Sequence, residues 1–125
     1  MQDDIINWRR DLHAHPELLY EVHRTAGFVV SKLQEFGCDE IVTGIGKTGV
    51  VGVISGKKAA TGRVIGLRAD MDALPIEEAT GLPHASKNAG KMHACGHDGH
   101  TAMLLGASRH LAQTRNFNGK AAVVF

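Results

Sequence analysis

At 125 residues, with 43% hydrophobic and 22% charged residues, the chain has the length of one ordinary domain and the composition of a folded globular protein, not of a disordered or fibrous one. Fourteen basic against thirteen acidic residues give a formal net charge of +1, and neither sign gathers into a block, which argues against nucleic acid as a partner. No apolar run approaches the roughly 20 residues that span a bilayer, and Met1-Gln2-Asp3-Asp4 is acidic where a secretory signal is basic, so the expectation is no membrane, a cytoplasmic location and reduced thiols at Cys38 and Cys95.

Residues 4 to 15 carry Ile5, Trp8 and Leu12 at helical spacing, and Pro16 ends the pattern near His15. A second helix is expected from about Glu21 to Phe36, with Ala26, Val29, Val30, Leu33 and Phe36 on one face and Gly37 as its C-terminal cap. Short β-branched runs follow at Ile41–Thr43, Val50–Ile54 and Arg63–Arg68, separated by glycine and lysine turns. They read as adjacent strands, the middle two of the strand runs forming a hairpin. The Arg63–Arg68 run is nearly all apolar and reads as a central strand, delivering Asp70 and Asp72 at its C-terminal end, where open α/β sheets place ligands.

Residues 75 to 96 have no clean period and are punctuated by Pro75, Gly81, Pro83 and Gly90. They read as a long loop, a form that in compact domains is often functional. A helix from about Asp98 to Ala112 should bury Met103, Leu104, Ala107 and Leu111, and Lys120–Phe125 reads as a strand cut off in mid-run.

Of the chain's 8 histidines, His84, His93, His97 and His100 crowd into one glycine-containing stretch. Cys95 and His97 lie two residues apart, so thiolate and imidazole can face one ion, with Gly96 letting the backbone bend between them. The following helix N-terminus favours the thiolate. Taken singly, a Cys is ordinarily a small buried group and a His near a helix start ordinarily a cap. Their joint occurrence with Asp98 and His100 favours metal binding, and with no second Cys pair a four-ligand structural zinc site is not supported. Asp70 and Asp72 share one side of an extended segment and can reach toward this loop to hydrogen-bond a ligating imidazole. The alternative is a solvated strand end tied to backbone amides or to Arg68.

Two other patterns point to less. Gly44-Ile45-Gly46-Lys47-Thr48 mimics the end of a phosphate loop, but the required first glycine falls on Ile41, and strand instead of helix follows. A hairpin turn fits better. His13 and His15, in Asp11-Leu12-His13-Ala14-His15-Pro16-Glu17, suggest a ligand pair that nothing nearby completes, and helix-end contacts are the simpler expectation.

The Asp11–Glu17 run, Gly44–Gly46 with Thr48–Val51, the Leu67–Ile76 segment and Met92–Leu105, with Cys-Gly-His-Asp-Gly-His the most specific block, together resemble the M20 metallopeptidase family. Within it they are most similar to the branch of hippurate hydrolases, N-acyl-amino-acid amidohydrolases and auxin-conjugate hydrolases. The resemblance implies an α/β, zinc-peptidase-like catalytic domain, a mixed sheet flanked by helices, of which residues 1–125 form the N-terminal part, truncated before a lid or dimerisation domain. It implies two divalent ions (Zn, Mn or Co) in the complete enzyme, with Cys95 and His97 as ligands. Asp72 orients a ligand, and Asp70, which stands where relatives have a ligating His, is kept beside the metal with Asp98 and His100. The implied substrate is a small N-acyl amino acid or amide, cleaved by a homo-oligomer.

Relatives place a Glu-Glu pair, which supplies the general base, and further ligands beyond the equivalent of Phe125. The chain alone is therefore expected to be inactive. His84 stands where an aromatic is common, which touches only substrate details. The competing expectation is a non-catalytic metal-binding or scaffold fragment.

Overall fold

The computed structural model describes residues 1–125 throughout. Three helices and four strands follow in the order α1 (Gln2–Ala14), α2 (His23–Phe36), β1 (Glu40–Ile45), β2 (Gly49–Ser55), β3 (Val64–Arg68), α3 (His97–Thr114) and β4 (Lys120–Val124). Asp3 and Asp4 lie in the first turn of α1, where the helix dipole favours negative charge, and Trp8 and Leu12 are buried as their spacing requires. Val22 offers α2 no side-chain cap. The carboxylate of Glu17 does that work from the preceding turn, accepting hydrogen bonds from the amides of Arg24 and Thr25 (3.0 and 2.7 Å) and from the Thr25 hydroxyl. At the other end Gly37 takes a left-handed conformation (φ 77°), and its amide and that of Cys38 close onto the Gln34 and Leu33 carbonyls, as expected from its place after Phe36.

The sheet is mixed, in the order β1-β2-β4-β3, with β1-β2 and β2-β4 antiparallel and β3-β4 parallel. The hairpin therefore joins β1 to β2 across Gly46–Thr48, within the segment that mimics a phosphate loop, while β2 and β3 do not pair because β4 lies between them. The second correction concerns β3, which is an edge strand: Val64 and Ile65 are each 60% exposed. An apolar run signals a strand with faces suited to burial, but it does not say how many neighbours that strand has.

One face of the sheet carries the core. Val50 and Val123 meet Trp8, Val29, Leu33, Ala102 and Leu105 from the three helices. On α3 the buried positions are Asp98, Thr101, Ala102, Leu104, Leu105, Gly106, Ser108 and Ala112, whereas Met103 is 60% exposed and Ala107 is exposed. Of the expected face only Leu104 is buried. The stripe is rotated because Thr101 and Ser108 are satisfied inside, their hydroxyls donating to the carbonyls of Asp70 and Leu104 (2.8 and 2.7 Å). Cys38 and Cys95 are both free thiols. No helix is long and apolar enough to cross a membrane.

Candidate metal centre

One short pairing brings the histidine-rich segment to the end of β3, and a second ties that strand end to the turn after α1. Leu74 and Met92 exchange backbone hydrogen bonds (2.9 and 3.0 Å), and the Ala73 amide donates to the Glu17 carbonyl (2.7 Å). After Met92 the chain passes through Gly96, which is left-handed at φ 92° and forms the N-cap of α3, so that His97 and His100 face back toward Asp70 and Asp72. Thr101 fastens the same helix turn to the Asp70 carbonyl.

The geometry is specific. His97 Nδ1 lies 2.8 Å from the Asp72 carbonyl and 3.0 Å from its carboxylate, which fixes the ring and leaves Nε2 directed at Asp70 Oδ2, 3.3 Å away. His100 Nδ1 lies 2.8 Å from the other Asp70 oxygen, and the two imidazoles are stacked with centroids 5.6 Å apart. Ligand atoms of Asp70, His97 and His100 all lie within 4.8 Å of one another. Burial pushes the Asp70 carboxyl up, but the His100 hydrogen bond, a backbone amide and the His97 and His100 charges outweigh it and hold the group below its ordinary value. An anionic oxygen between two imidazoles, one with its outer nitrogen anchored, is a donor set that fits a divalent cation. Cys95, two residues before His97, is exposed and lies outside this group of three. Of the expected residues, Asp70, Asp72, His97 and His100 thus converge, whereas Cys95 stands at the rim and Asp98 points the other way, into the protein.

The segment holding these residues also decides kinship. Residues 66–125 match the family described as Peptidase family M20/M25/M40. Over its full length the chain is 50% identical to the hippurate hydrolase of Campylobacter jejuni, and over 93% of its length it is 52% identical to the N-acyl-L-amino acid amidohydrolase of Geobacillus stearothermophilus. In sequence the chain is thus similar to the M20 peptidase family. It spans about a third of those relatives, 32% and 30% of their lengths. It also superposes with a TM-score of 0.90 and 46% identity on the Bacillus subtilis YXEP protein, a dinuclear metal binding peptidase from the M20 family, covering 97% of this chain and 34% of that one. The mixed α/β fold is therefore the M20 fold.

Behind the centre, the chain holds a buried polar network whose pairings the sequence did not join. Asp98 is fully buried. Its Oδ2 accepts from Arg9 Nε (2.8 Å) and lies 2.7 Å from His13 Nδ1, while Oδ1 accepts the Gly99 amide (2.9 Å). His13 Nε2 is 2.9 Å from Glu78 Oε1, which also accepts the Ser86 amide. Burial pushes Glu78 up, but the Thr80 hydroxyl, the Ser86 amide and His13 hold it below its ordinary value. His15 instead bonds the Asp11 carbonyl (2.8 Å), a helix-end contact as expected, so the two histidines do not form a pair. The Asp11–Glu17 motif and Asp98 were its signals in the sequence, and they lie too far apart to be joined by spacing. His93 is buried beside it, 6.4 Å from His13 between ring centroids, with neither ring nitrogen bonded to protein; burial lowers its proton affinity.

Proposed function

We propose that this chain is the N-terminal part, residues 1–125, of the catalytic domain of a metal-dependent hydrolase that cleaves N-acyl amino acids or related small amides. The observation that carries this reading is the fixed His97: Asp72 holds Nδ1, and Nε2 is presented beside Asp70 and His100. The two relatives, a hippurate hydrolase and an N-acyl-L-amino acid amidohydrolase, supply the substrate class, and the dinuclear YXEP protein supplies the expectation of two divalent ions. His97 and Cys95 would hold metal with Asp70 and His100 beside them. A divalent ion there supplies Lewis acidity toward the scissile carbonyl and a lowered pKa to water. The protein's own groups act by position: Asp72 sets the His97 tautomer, Asp70 places negative charge between two imidazoles, and Thr101 holds α3 against the end of β3. A homo-oligomeric, cytoplasmic enzyme is the setting in which we place this reading.

The test is a titration of chelator-stripped protein with Zn²⁺, Mn²⁺ and Co²⁺ by calorimetry, followed by assay on a panel of N-acyl amino acids including hippurate. Binding that is lost in His97→Ala, together with amide hydrolysis by the whole protein, supports the proposal. Failure of all three ions to bind above the level of His97→Ala overturns it. Binding without hydrolysis by the whole protein leaves a metal-binding scaffold as the reading.

A further inference from the structure

The loop that carries Cys95 and His97 hangs between two anchors. On one side is the Leu74–Met92 backbone pairing; on the other is Asp98, immediately after His97, buried completely at the start of α3. A carboxylate removed from water has to be matched by donors inside the protein. The match comes from α1: Arg9 Nε at 2.8 Å and His13 Nδ1 at 2.7 Å reach the same oxygen of Asp98. His13 does more than close that pair. Its second nitrogen faces Glu78, whose side chain is 3% exposed, so that one imidazole, itself 3% exposed, is clasped by carboxylates from two segments far apart in sequence. Taking this ring away would leave Asp98 held by Arg9 and Glu78 held only by the Ser86 amide and the Thr80 hydroxyl, with a gap between the two buried carboxylates. Either they repel each other or water enters, and the first turn of α3, with His97 and His100 on it, must shift.

We infer that His13 is a positioning residue for the metal centre: it fixes the Cys95–His100 segment through Asp98 while tying the preceding loop through Glu78, though it does not itself touch the ligand group of Asp70, His97 and His100. This inference rests on the metal-centre reading above. It differs from simple fold stabilisation because the clasped residue is the chain neighbour of the oriented imidazole. A disturbance at Asp98 therefore reaches His97 through a single peptide bond.

The experiment uses the 125-residue chain with Co²⁺ as the probe, because the visible spectrum of Co²⁺ reports ligand geometry as well as occupancy. His13→Gln, His13→Phe and Glu78→Gln are compared with the native chain. For the two His13 variants, affinity is expected to fall about 10–100-fold, the usual effect of removing a group that orients a ligand. Their spectra at saturating Co²⁺ should differ from the native one. Glu78→Gln touches the network on the side away from α3 and should lose less than about 10-fold. A residue that merely stabilises the fold would leave the saturated spectrum unchanged, and native spectra and affinity in the His13 variants overturn the inference while leaving the metal centre standing. If His13→Phe does not fold, His13→Gln and Glu78→Gln still decide. If the native chain takes up no Co²⁺, the metal-centre reading and this inference fall together.

Discussion

Asp72 grips His97 twice, its carbonyl 2.8 Å and its carboxylate 3.0 Å from the same ring nitrogen. The duplication makes a graded prediction. Asp72→Ala removes one acceptor and keeps the main-chain one, so the ring should remain in place but loosen. Zn²⁺ affinity, measured calorimetrically, should fall by about 10-fold, the low end of what loss of an orienting carboxylate costs. Affinity equal to the native value would show that the carbonyl alone suffices.

Cys95 is exposed and stands outside the group formed by Asp70, His97 and His100, which makes its role separable by spectroscopy. If its thiolate joins the centre on metal binding, the Co²⁺ form should show sulfur-to-metal charge-transfer absorption that vanishes in Cys95→Ser. His100→Ala should retain that absorption while weakening binding. A native spectrum without the band would leave Cys95 as a rim residue.

Gly96 adopts φ 92° with no atom within 4 Å of where a Cβ would stand, so an added methyl meets backbone strain and not crowding. Gly96→Ala should destabilise the chain by about 1–2 kcal/mol, the cost of a left-handed conformation for an L-residue, seen in thermal unfolding of the metal-free protein. Since the strain falls between Cys95 and His97, metal affinity should drop as well.

Asp39 offers a pH dependence away from the centre. The Ser55 amide, and then Arg115, hold its carboxyl below the ordinary 3.8, and the Asp39–Arg115 contact is 2.7 Å. With the folded value lowered, the stabilisation is complete above pH 3.8 and is lost as pH falls through the lower folded value. The side chain is 42% exposed, so solvent screening limits the effect to about 0.2–1 kcal/mol. Asp39→Asn should flatten the acid limb of stability against pH, and an unchanged limb would assign that limb to other carboxylates.

The rotated stripe of α3 supplies a contrast. Leu105→Ala empties a fully buried position and should cost about 2–5 kcal/mol, while Met103→Ala, at a site 60% exposed, should stay within about 0.5 kcal/mol. Chemical denaturation of both variants decides whether the inner face of the helix is the one described.

What could be read from the chain was what depends on neighbours in sequence. The 3.6-residue spacing from Ala26 to Leu33 and the glycine after Phe36 mark α2 locally, and the i, i+2 relation of Asp70 and Asp72 places both at the end of β3. What escaped depends on partners far away. Thr101 and Ser108 are inside because carbonyls receive them, so a reading that counts only apolar residues turns α3 the wrong way. His13, Glu78 and Asp98 are each unremarkable alone and become a network only when α1, the long loop and α3 meet. The edge position of β3 was hidden for a similar reason, since its neighbour is set by topology and not by its own residues.

That topology also orders events during synthesis. The β1-β2 hairpin closes across a short turn and can form as soon as Ser55 leaves the ribosome. β3 has no such option: its partner is β4, which lies beyond the long loop and all of α3, and β4 must slot between two strands made well before it. Until Lys120–Val124 emerge, Val64 and Ile65 wait as an unpaired apolar strand, the kind of edge that invites pairing with another nascent chain. The parallel pairing that sets Asp70 and Asp72 in place therefore waits for α3 and β4 to be made, well after the hairpin has closed.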